Sequence, residues 1–132
     1  MVVLALGMIN CWGSDGHYAN SRVTTLNSKN FYSKVYSQKN DYVWLVLFYD
    51  LYCGHCQDFA SVYKDAANIL EGLVEVGAVE CGGRDNKDLK QDFNIERFPA
   101  MRLFKNGNGK PMTIEATTAD KIVSKVKKAI DY

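Results

Sequence analysis

The 132-residue sequence lacks three features: a long uninterrupted hydrophobic run, an excess of charge of either sign, and any internal repeat. Its apolar stretches are much shorter than the roughly 20 residues that a membrane-spanning helix needs, so no membrane span is expected. Sixteen basic residues face fifteen acidic ones, and the net charge of +1 does not favour nucleic acid or an anionic membrane as the partner. Without a Pro-rich or low-complexity linker, the sequence predicts one ordinary domain.

Cysteine and histidine are also scarce. Four cysteines are too few for a disulfide scaffold of this length. A zinc site would need a second pair of ligands, and His17, His55 and Cys81 lack the paired spacing of zinc motifs. The sequence therefore predicts no metal site, and Cys81 is interpreted as a small, half-buried free thiol. The four cysteines are Cys11, Cys53, Cys56 and Cys81.

The N-terminal segment "MVVLALGMINCWG" has the character of a secretory signal. It is a short apolar run that ends in small residues, with Cys11 and Gly13 placed as before a signal-peptidase cut. It lacks the usual Lys or Arg of a signal, so a buried N-terminal strand stays open as the alternative. Residues 14–22 are polar. We predict a signal peptide and a flexible lead-in over residues 1–22, and a folded domain over residues 23–132.

The hydrophobic periodicity along the domain predicts alternating strands and helices. Residues 42–49 are apolar throughout, which is typical of a strand buried on both faces. The predicted order is β-α-β-α-β-α-β-β-α, an α/β fold whose central mixed sheet is flanked by helices on both faces. The strands are predicted at 23–26, 42–49, 73–80, 100–104 and 112–116, and the helices at about 27–38, 53–71, 87–94 and 118–130.

The motif Cys53-Gly54-His55-Cys56 follows the most apolar strand directly. Cys53 falls where that strand passes into a helix, and the unpaired N–H groups and dipole of the helix start favour a thiolate there. We therefore expect Cys53 to be the attacking sulfur and Cys56 the resolving one, with their disulfide as the redox centre and no other cofactor. His55 would add positive potential and make this disulfide a better oxidant.

Two further features lie near the motif in sequence or in the predicted fold. Phe98 and Pro99 precede the strand at 100–104, where a cis bond could bring the chain close to the two sulfurs; the pattern alone leaves cis and trans open. Asp50 and Asp58 flank the motif. They are interpreted either as proton acceptors or as solvated surface charges.

These residues resemble the thioredoxin superfamily, and in particular the catalytic a-type domains of the protein disulfide isomerases. The resemblance runs from about residue 23 to 130 and is carried by "WLVLFY" before "CGHC", "EVGAVE", "FNIERFPAMRLFKNG" and "TADKIV". It implies a thioredoxin fold for residues 23–132 and Pro99 in cis. It also implies thiol–disulfide exchange on secretory proteins and a location in the endoplasmic reticulum lumen or outside the cell.

The sequence departs from that family at informative positions. Leu47 stands where the family usually has a buried acid, and Ala78 where it often has a lysine. Thr117 replaces a common arginine, and the family's "APWCGHC" is "DLYCGHC" here. Because the acid and the arginine are thought to help the resolving cysteine lose its proton, Cys56 is expected to be a reluctant nucleophile.

Two functions are therefore predicted. The first is a disulfide oxidase or isomerase that acts on unfolded or disulfide-bearing proteins, with glutathione or a partner oxidase as redox partner. The alternative is a redox-slow binding module or chaperone. In that case an apolar rim of Tyr52, Phe98 and Pro99 would hold unfolded polypeptides.

Overall fold

The structure is a computed structural model, and it describes residues 16–37, 42–105 and 109–131. The predicted signal peptide, with Cys11, lies outside the described residues. A short 3-10 helix (Gly16–Tyr18) comes first. The elements that follow are β1 (Thr24–Leu26), α1 (Phe31–Val35), β2 (Trp44–Tyr49), α2 (Gly54–Ile69), β3 (Glu75–Glu80), α3 (Lys87–Asp92), β4 (Ala100–Phe104), β5 (Met112–Ile114) and α4 (Ala119–Ile130).

The five strands form one mixed sheet in the order β1-β3-β2-β4-β5. β1 and β2 run parallel to β3, whereas β4 runs antiparallel to both β2 and β5. Parallel neighbours need crossover helices, and α1 and α2 connect them. The predicted α/β class and the predicted order of elements are confirmed. No helix within the described ranges combines the length and the apolar character needed to cross a bilayer.

Strand β2 is the centre of the sheet, and all six of its residues are buried. At its midpoint Leu47 pairs with Ala78 of β3 on one side and with Met101 of β4 on the other. A strand that is hydrogen-bonded along both edges and covered on both faces reads as a continuous apolar run. This explains why the sequence contains no charge between residues 42 and 49.

Each face of the sheet carries its own apolar core. One face packs Leu45, Leu47 and Tyr49 of β2 against α2 and α4. The opposite face packs Trp44, Val46 and Phe48 against residues of α1 and α3. Alternate residues of one strand thus supply the two cores, as the pleat of a β-strand requires. Helices cover both faces, as predicted.

Helix α2 is tied to the sheet by the Tyr63 side chain, which is completely buried. Its hydroxyl lies 2.8 Å from the carbonyl oxygen of Gly77 and 3.2 Å from that of Leu45. Burial raises the pKa of Tyr63 well above its usual value, so the hydroxyl keeps its proton and donates it. This bond fixes the rotation of α2 about its axis, and therefore the direction in which its first turn points.

Three segments differ from the prediction. Helix α1 is shorter than predicted, and β3 begins at Glu75 because Gly72 (φ 82°) and a turn through Leu70–Val74 precede it. Residues 16–22 were predicted to be a flexible lead-in, but Tyr18 is buried in the core on the α2 side of the sheet. Arg22 also forms an ion pair with Glu71 at 2.5 Å. The packed part of the domain therefore begins before residue 23.

Gly77 gives the first testable consequence of this packing. A Cβ there would lie 2.5 Å from Leu26 Cδ1 and 3.2 Å from the Trp44 ring. We expect Gly77→Ala to lower the free energy of unfolding by about 1 to 3 kcal/mol, because overpacking forces neighbouring side chains out of place. Urea denaturation measures the change. Gly54→Ala is the matched control, since no atom lies within 4 Å of the position that its methyl group would occupy; equal effects at both positions would contradict the packing.

Candidate active site

The Cys53 side chain lies at the junction of β2 and α2. After β2 ends at Tyr49, a short turn brings the Cys53 amide to within 3.1 Å of the carbonyl oxygen of Asp50. Cys53 is the N-cap residue of α2, with extended backbone angles, and its own carbonyl accepts from Gln57 at 3.0 Å. Its half-buried thiol therefore sits at the positive end of the helix dipole, the position predicted for the attacking sulfur.

Cys56 lies one turn further along, buried against the core beneath α2. The Cys53 and Cys56 side chains lie close together, and both are free thiols. Burial raises the pKa of Cys56 to about 12, and the Asp50 backbone N–H, which donates to Cys56 Sγ at 3.5 Å, opposes this shift. The Cys56 thiol is therefore protonated at neutral pH.

Gly54 and His55 complete the motif, and both are exposed on the first turn of α2. His55 lines one side of a cavity of about 620 Å³. Phe98 and Pro99 line the same cavity, and the peptide bond between them is cis. The structure thus brings His55, Phe98 and Pro99 to one cleft, whose lining residues do not include Cys53 or Cys56.

Tyr52, which sequence reasoning placed with Phe98 on an apolar rim, is not part of the cavity wall. Its side chain is 83% exposed on the turn before Cys53. Phe98 is half-buried, and its ring accepts a cation–π contact from Lys90 Nζ at 5.6 Å from the ring centroid. The predicted rim therefore consists of an exposed tyrosine outside the cavity and a partly covered phenylalanine that lines it.

The positions at which the sequence departs from the isomerase pattern surround the site. Leu47 is completely buried beneath it, against Ala78 on the neighbouring strand. Thr117 is exposed and lines the cavity. Position 47, where the resemblance predicts an acid, thus carries a buried apolar side chain, and position 117, where it predicts an arginine, a neutral exposed one. Neither residue can accept or stabilise the proton of Cys56.

Two carboxylates that were not predicted to act together hold the turn before Cys53. Asp50 Oδ1 accepts the Tyr52 amide at 2.9 Å, and Glu80 Oε2 accepts the Leu51 amide at 2.9 Å. They meet at Gly82, where a Cβ would lie 2.6 Å from Asp50 Oδ1 and 2.7 Å from Glu80 Oε2. Strand alternation could have indicated Glu80, because residues 76, 78 and 80 share a face of β3.

Asp50 and Asp58 have different environments, although the sequence offered the same two interpretations for both. Asp58 is exposed on α2, as expected for a solvated charge. Asp50 is half-buried, and its backbone and side chain both take part in the turn that leads to Cys53. The interpretation of Asp50 as a solvated surface charge is therefore wrong.

Tyr18 is a core residue that sequence reasoning did not identify. Its ring packs edge-on against Tyr49 and Tyr63, with centroids 5.2 and 5.8 Å away. Its hydroxyl is buried and has no hydrogen-bond partner within the described part of the chain. Burial, with smaller contributions from Tyr49 and Cys56, raises the pKa of this phenol above its usual value. The polar sequence around residue 18 gives no periodic signal that could have revealed it.

Cys81 lies on the other side of the sheet from Cys56. It belongs to the core between the sheet and helices α1 and α3, and it is fully rather than half buried. Burial and then the nearby Glu80 raise the pKa of the Cys81 thiol to about 12. Within the described ranges, no three His, Cys, Asp or Glu side chains are grouped so that they could hold a metal ion.

A family model described as thioredoxin matches residues 22–128 of the chain. This range includes every strand and helix from β1 to α3, both strands of the hairpin and most of α4. The match begins after Tyr18, so the N-terminal aromatic contact lies outside the matched range.

Curated relatives are named as protein disulfide-isomerases. The chain is 33% identical over 113 residues to a protein disulfide-isomerase A6 homolog of Caenorhabditis elegans, which covers 82% of this chain and 25% of the relative. Identity to the human protein disulfide-isomerase A6 is 33% over 115 residues, or 84% of this chain and 25% of that protein. The chain thus spans about a quarter of the length of these relatives.

Solved structures show the same fold. The J-Trx1 fragment of ERdj5 superposes with a TM-score of 0.74 at 25% identity, over 84% of this chain and 53% of that one. The Trx4 domain of ERdj5 gives a TM-score of 0.75 at 24% identity, over 84% of this chain and 97% of that domain. The arrangement of sheet and helices described above is therefore the thioredoxin fold that the sequence predicted.

Burial of the three thiols predicts the order in which they react. We expect iodoacetamide to modify Cys53 first at neutral pH, because Cys56 and Cys81 are buried and the pKa of each is raised to about 12. Raising the pH toward that value should bring the other two into reaction, since thiolates then form. Mass spectrometry of the alkylated peptides gives the order, and faster modification of Cys56 than of Cys53 would contradict it.

The buried position of Leu47 predicts the cost of restoring an acid there. We expect Leu47→Glu to lower the free energy of unfolding by about 1 to 3 kcal/mol near neutral pH, because an unpaired carboxylate is desolvated. Desolvation raises the pKa of such a group in the folded state, so the part of the cost that comes from the charge is absent below the unfolded-state pKa of about 4.3 and grows as pH rises above it.

Urea titrations at an acidic and a neutral pH measure this change in stability. Leu47→Gln is the control, since it has a similar shape and polarity but no charge, and its stability relative to the parent protein should not depend on pH. A Leu47→Glu variant that loses no more stability at neutral than at acidic pH would show that position 47 is accessible to water.

Proposed function

The chain belongs to the thioredoxin family, and we propose that it is a thiol–disulfide oxidoreductase of the protein disulfide isomerase type, with Cys53 as the nucleophile. The observation that carries this proposal is the pairing of the two thiols at the start of α2. Cys53 caps the helix and is partly open to solvent, whereas Cys56 is in contact with it from the buried side. One sulfur is accessible to a substrate, and the other can reach only its neighbour.

The reaction that this pair supports is thiol–disulfide exchange. In the oxidised form, a client thiolate attacks Cys53 Sγ and expels Cys56 as the leaving thiolate, which takes up a proton. A second client thiolate then attacks the client sulfur of the mixed disulfide, forms the client disulfide and expels Cys53. Glutathione disulfide or a partner oxidase restores the Cys53–Cys56 disulfide. The pair itself is the redox group, and the reaction needs no other cofactor.

The substrates that fit this site are unfolded or disulfide-bearing proteins of the secretory pathway. The cavity lined by His55, Phe98 and Pro99 is open enough to accept an extended peptide beside Cys53. The curated relatives are named as isomerases, and the chain covers about a quarter of each. The location that goes with this function is the endoplasmic reticulum lumen, the compartment implied by the motif and by the N-terminal segment.

A second candidate function is favoured by Leu47 and Thr117. With neither the acid nor the arginine, the step in which Cys56 acts would be slow, and the domain would then hold unfolded chains rather than turn them over. Tyr52, exposed beside the thiols, offers such chains an apolar contact. This candidate differs from the first in the rate of exchange and not in the surface used.

Insulin reduction separates the two functions. We expect the parent protein to catalyse reduction of insulin by dithiothreitol and Cys53→Ser to lose that activity, because the attacking sulfur is gone. Cys81→Ser is the matched control and should keep it, since Cys81 lies on the opposite face of the sheet.

We also expect the reduction potential of the Cys53/Cys56 pair, measured by equilibration with glutathione, to lie nearer the roughly −180 mV of disulfide isomerases than the roughly −270 mV of thioredoxin.

If the parent protein and Cys53→Ser reduce insulin equally slowly while both bind a reduced, unfolded polypeptide, the binding module is the correct function. If Cys53→Ser alone loses activity, the oxidoreductase is.

A further inference from the structure

We propose that Asp50 is a positioning residue for Cys56, and that its carboxylate slows the release of a client from the mixed disulfide on Cys53. This inference rests on the proposed function and concerns the exchange in the reductive direction, in which Cys56 attacks the mixed disulfide. The isomerase pattern quoted above has alanine at this position, so the carboxylate is a feature of this chain. With this carboxylate, the domain would keep a client covalently bound for longer than a CGHC domain with alanine at this position.

The backbone of residue 50 contacts both sulfur-bearing residues. Its amide donates to Cys56 Sγ at 3.5 Å, and its carbonyl accepts from the Cys53 amide at 3.1 Å. Any residue at position 50 could make these two contacts, provided that the turn keeps its shape. They place Cys56 Sγ next to the backbone of residue 50 in the folded protein.

The side chain of Asp50 is held in a fixed place. Its Oδ1 atom accepts the Tyr52 amide at 2.9 Å, and the side chain packs against Gly82, where no methyl group would fit. Glu80 holds the preceding amide, that of Leu51, from the other side of the same gap. The hydrogen bond to the Tyr52 amide keeps this half-buried carboxylate on the turn whose backbone contacts Cys56 Sγ.

That charge opposes formation of the Cys56 thiolate. Burial is the main reason why the pKa of Cys56 is raised, and the Asp50 carboxylate adds to it, together with Cys53. The other titratable groups around this thiol are His55 on its own helix, Tyr18 from the N-terminal segment and Glu80 at the end of β3. Tyr18 is a protonated phenol, His55 is exposed, and the Glu80 carboxylate accepts the Leu51 amide.

The affected step is the resolution of the mixed disulfide. The Cys56 thiol loses its proton, and the resulting thiolate attacks Cys53 Sγ. The bond between Cys53 and the client sulfur breaks, the Cys53–Cys56 disulfide forms, and the client leaves as a thiolate that takes up a proton. In this exchange the formal oxidation state of the Cys56 sulfur rises by one and that of the client sulfur falls by one, so the step balances without an external oxidant or reductant. Because the attacking group must be the thiolate, a nearby negative charge lowers the rate.

Two variants separate the charge from the geometry of the turn. Asp50→Asn keeps an oxygen that can accept the Tyr52 amide but removes the charge, whereas Asp50→Ala removes both. Asp58→Asn is the matched control, because Asp58 is exposed on the same helix as Cys56.

For the assay, the full chain is first reduced and then joined through Cys53 to a fluorescent peptide, by means of an activated disulfide at acidic pH. The sample is then returned to neutral pH. Release of the peptide is then followed in time.

We expect both Asp50→Asn and Asp50→Ala to release the peptide faster than the parent protein, by about threefold for each unit by which the pKa of Cys56 falls. Asp58→Asn should match the parent. A second readout is independent of exchange: in a Cys53→Ser background, the ultraviolet absorbance of the Cys56 thiolate should appear at lower pH in Asp50→Asn than in the parent. A merely structural role would not shift that titration.

The proposal is overturned if Asp50→Asn has the release rate and the thiol titration of the parent, or if only Asp50→Ala changes them, since the turn rather than the charge would then matter. If the parent forms no mixed disulfide at all, the proposed function fails. The titration of Cys56 in the Cys53→Ser background still decides the role of Asp50 in that case.

Discussion

The burial of β2 on both faces is the constraint on which the rest of the structure depends. A strand with neighbours along both edges and cores above and below must be apolar at every residue, and β2 is. Its end is therefore the first point at which the chain can turn and expose polar groups. Cys53 lies there, on the turn between the most buried strand and a helix that Tyr63 fixes to the carbonyl groups of the sheet. A reactive thiol is thus supported by the most rigid part of the domain.

That arrangement gives the two cysteines of the CxxC motif different properties, one in solvent accessibility and the other in resistance to ionisation. Cys53, at the N-terminus of the helix, is partly accessible to solvent. Cys56 ionises with difficulty, because burial raises its pKa and keeps it as a thiol. The residues that would relieve this reluctance in related domains are apolar or neutral here, at Leu47 and Thr117. The nearest carboxylate is that of Asp50, on the turn above the thiol rather than in the strand beneath it. Its charge resists the thiolate instead of accepting the proton.

The fold could be predicted from the sequence because it is encoded in local patterns. The apolar run of β2, the helical spacing after Cys53 and the Gly and Asn residues between elements each carry their own signal. The positions of Cys53, His55 and Pro99 followed from that order. The pairing of Asp50 with Glu80 did not, because it depends on the register of two strand ends about 30 residues apart in sequence. Tyr18 was missed for a related reason, since a single buried aromatic in a polar segment has no period.

The position of Cys81 limits which internal disulfides the folded domain can form. The three cysteines that the structure describes could in general form three different internal disulfides, and two of these would require a non-native fold. The sheet prevents this, because Cys81 is sealed in the core on one side while Cys53 and Cys56 pack on the other. Among the described residues, only one pair can therefore close without unfolding. The sheet separates Cys81 from Cys53 and Cys56. Among the described cysteines, oxidation of the native domain therefore forms a single internal disulfide, Cys53–Cys56.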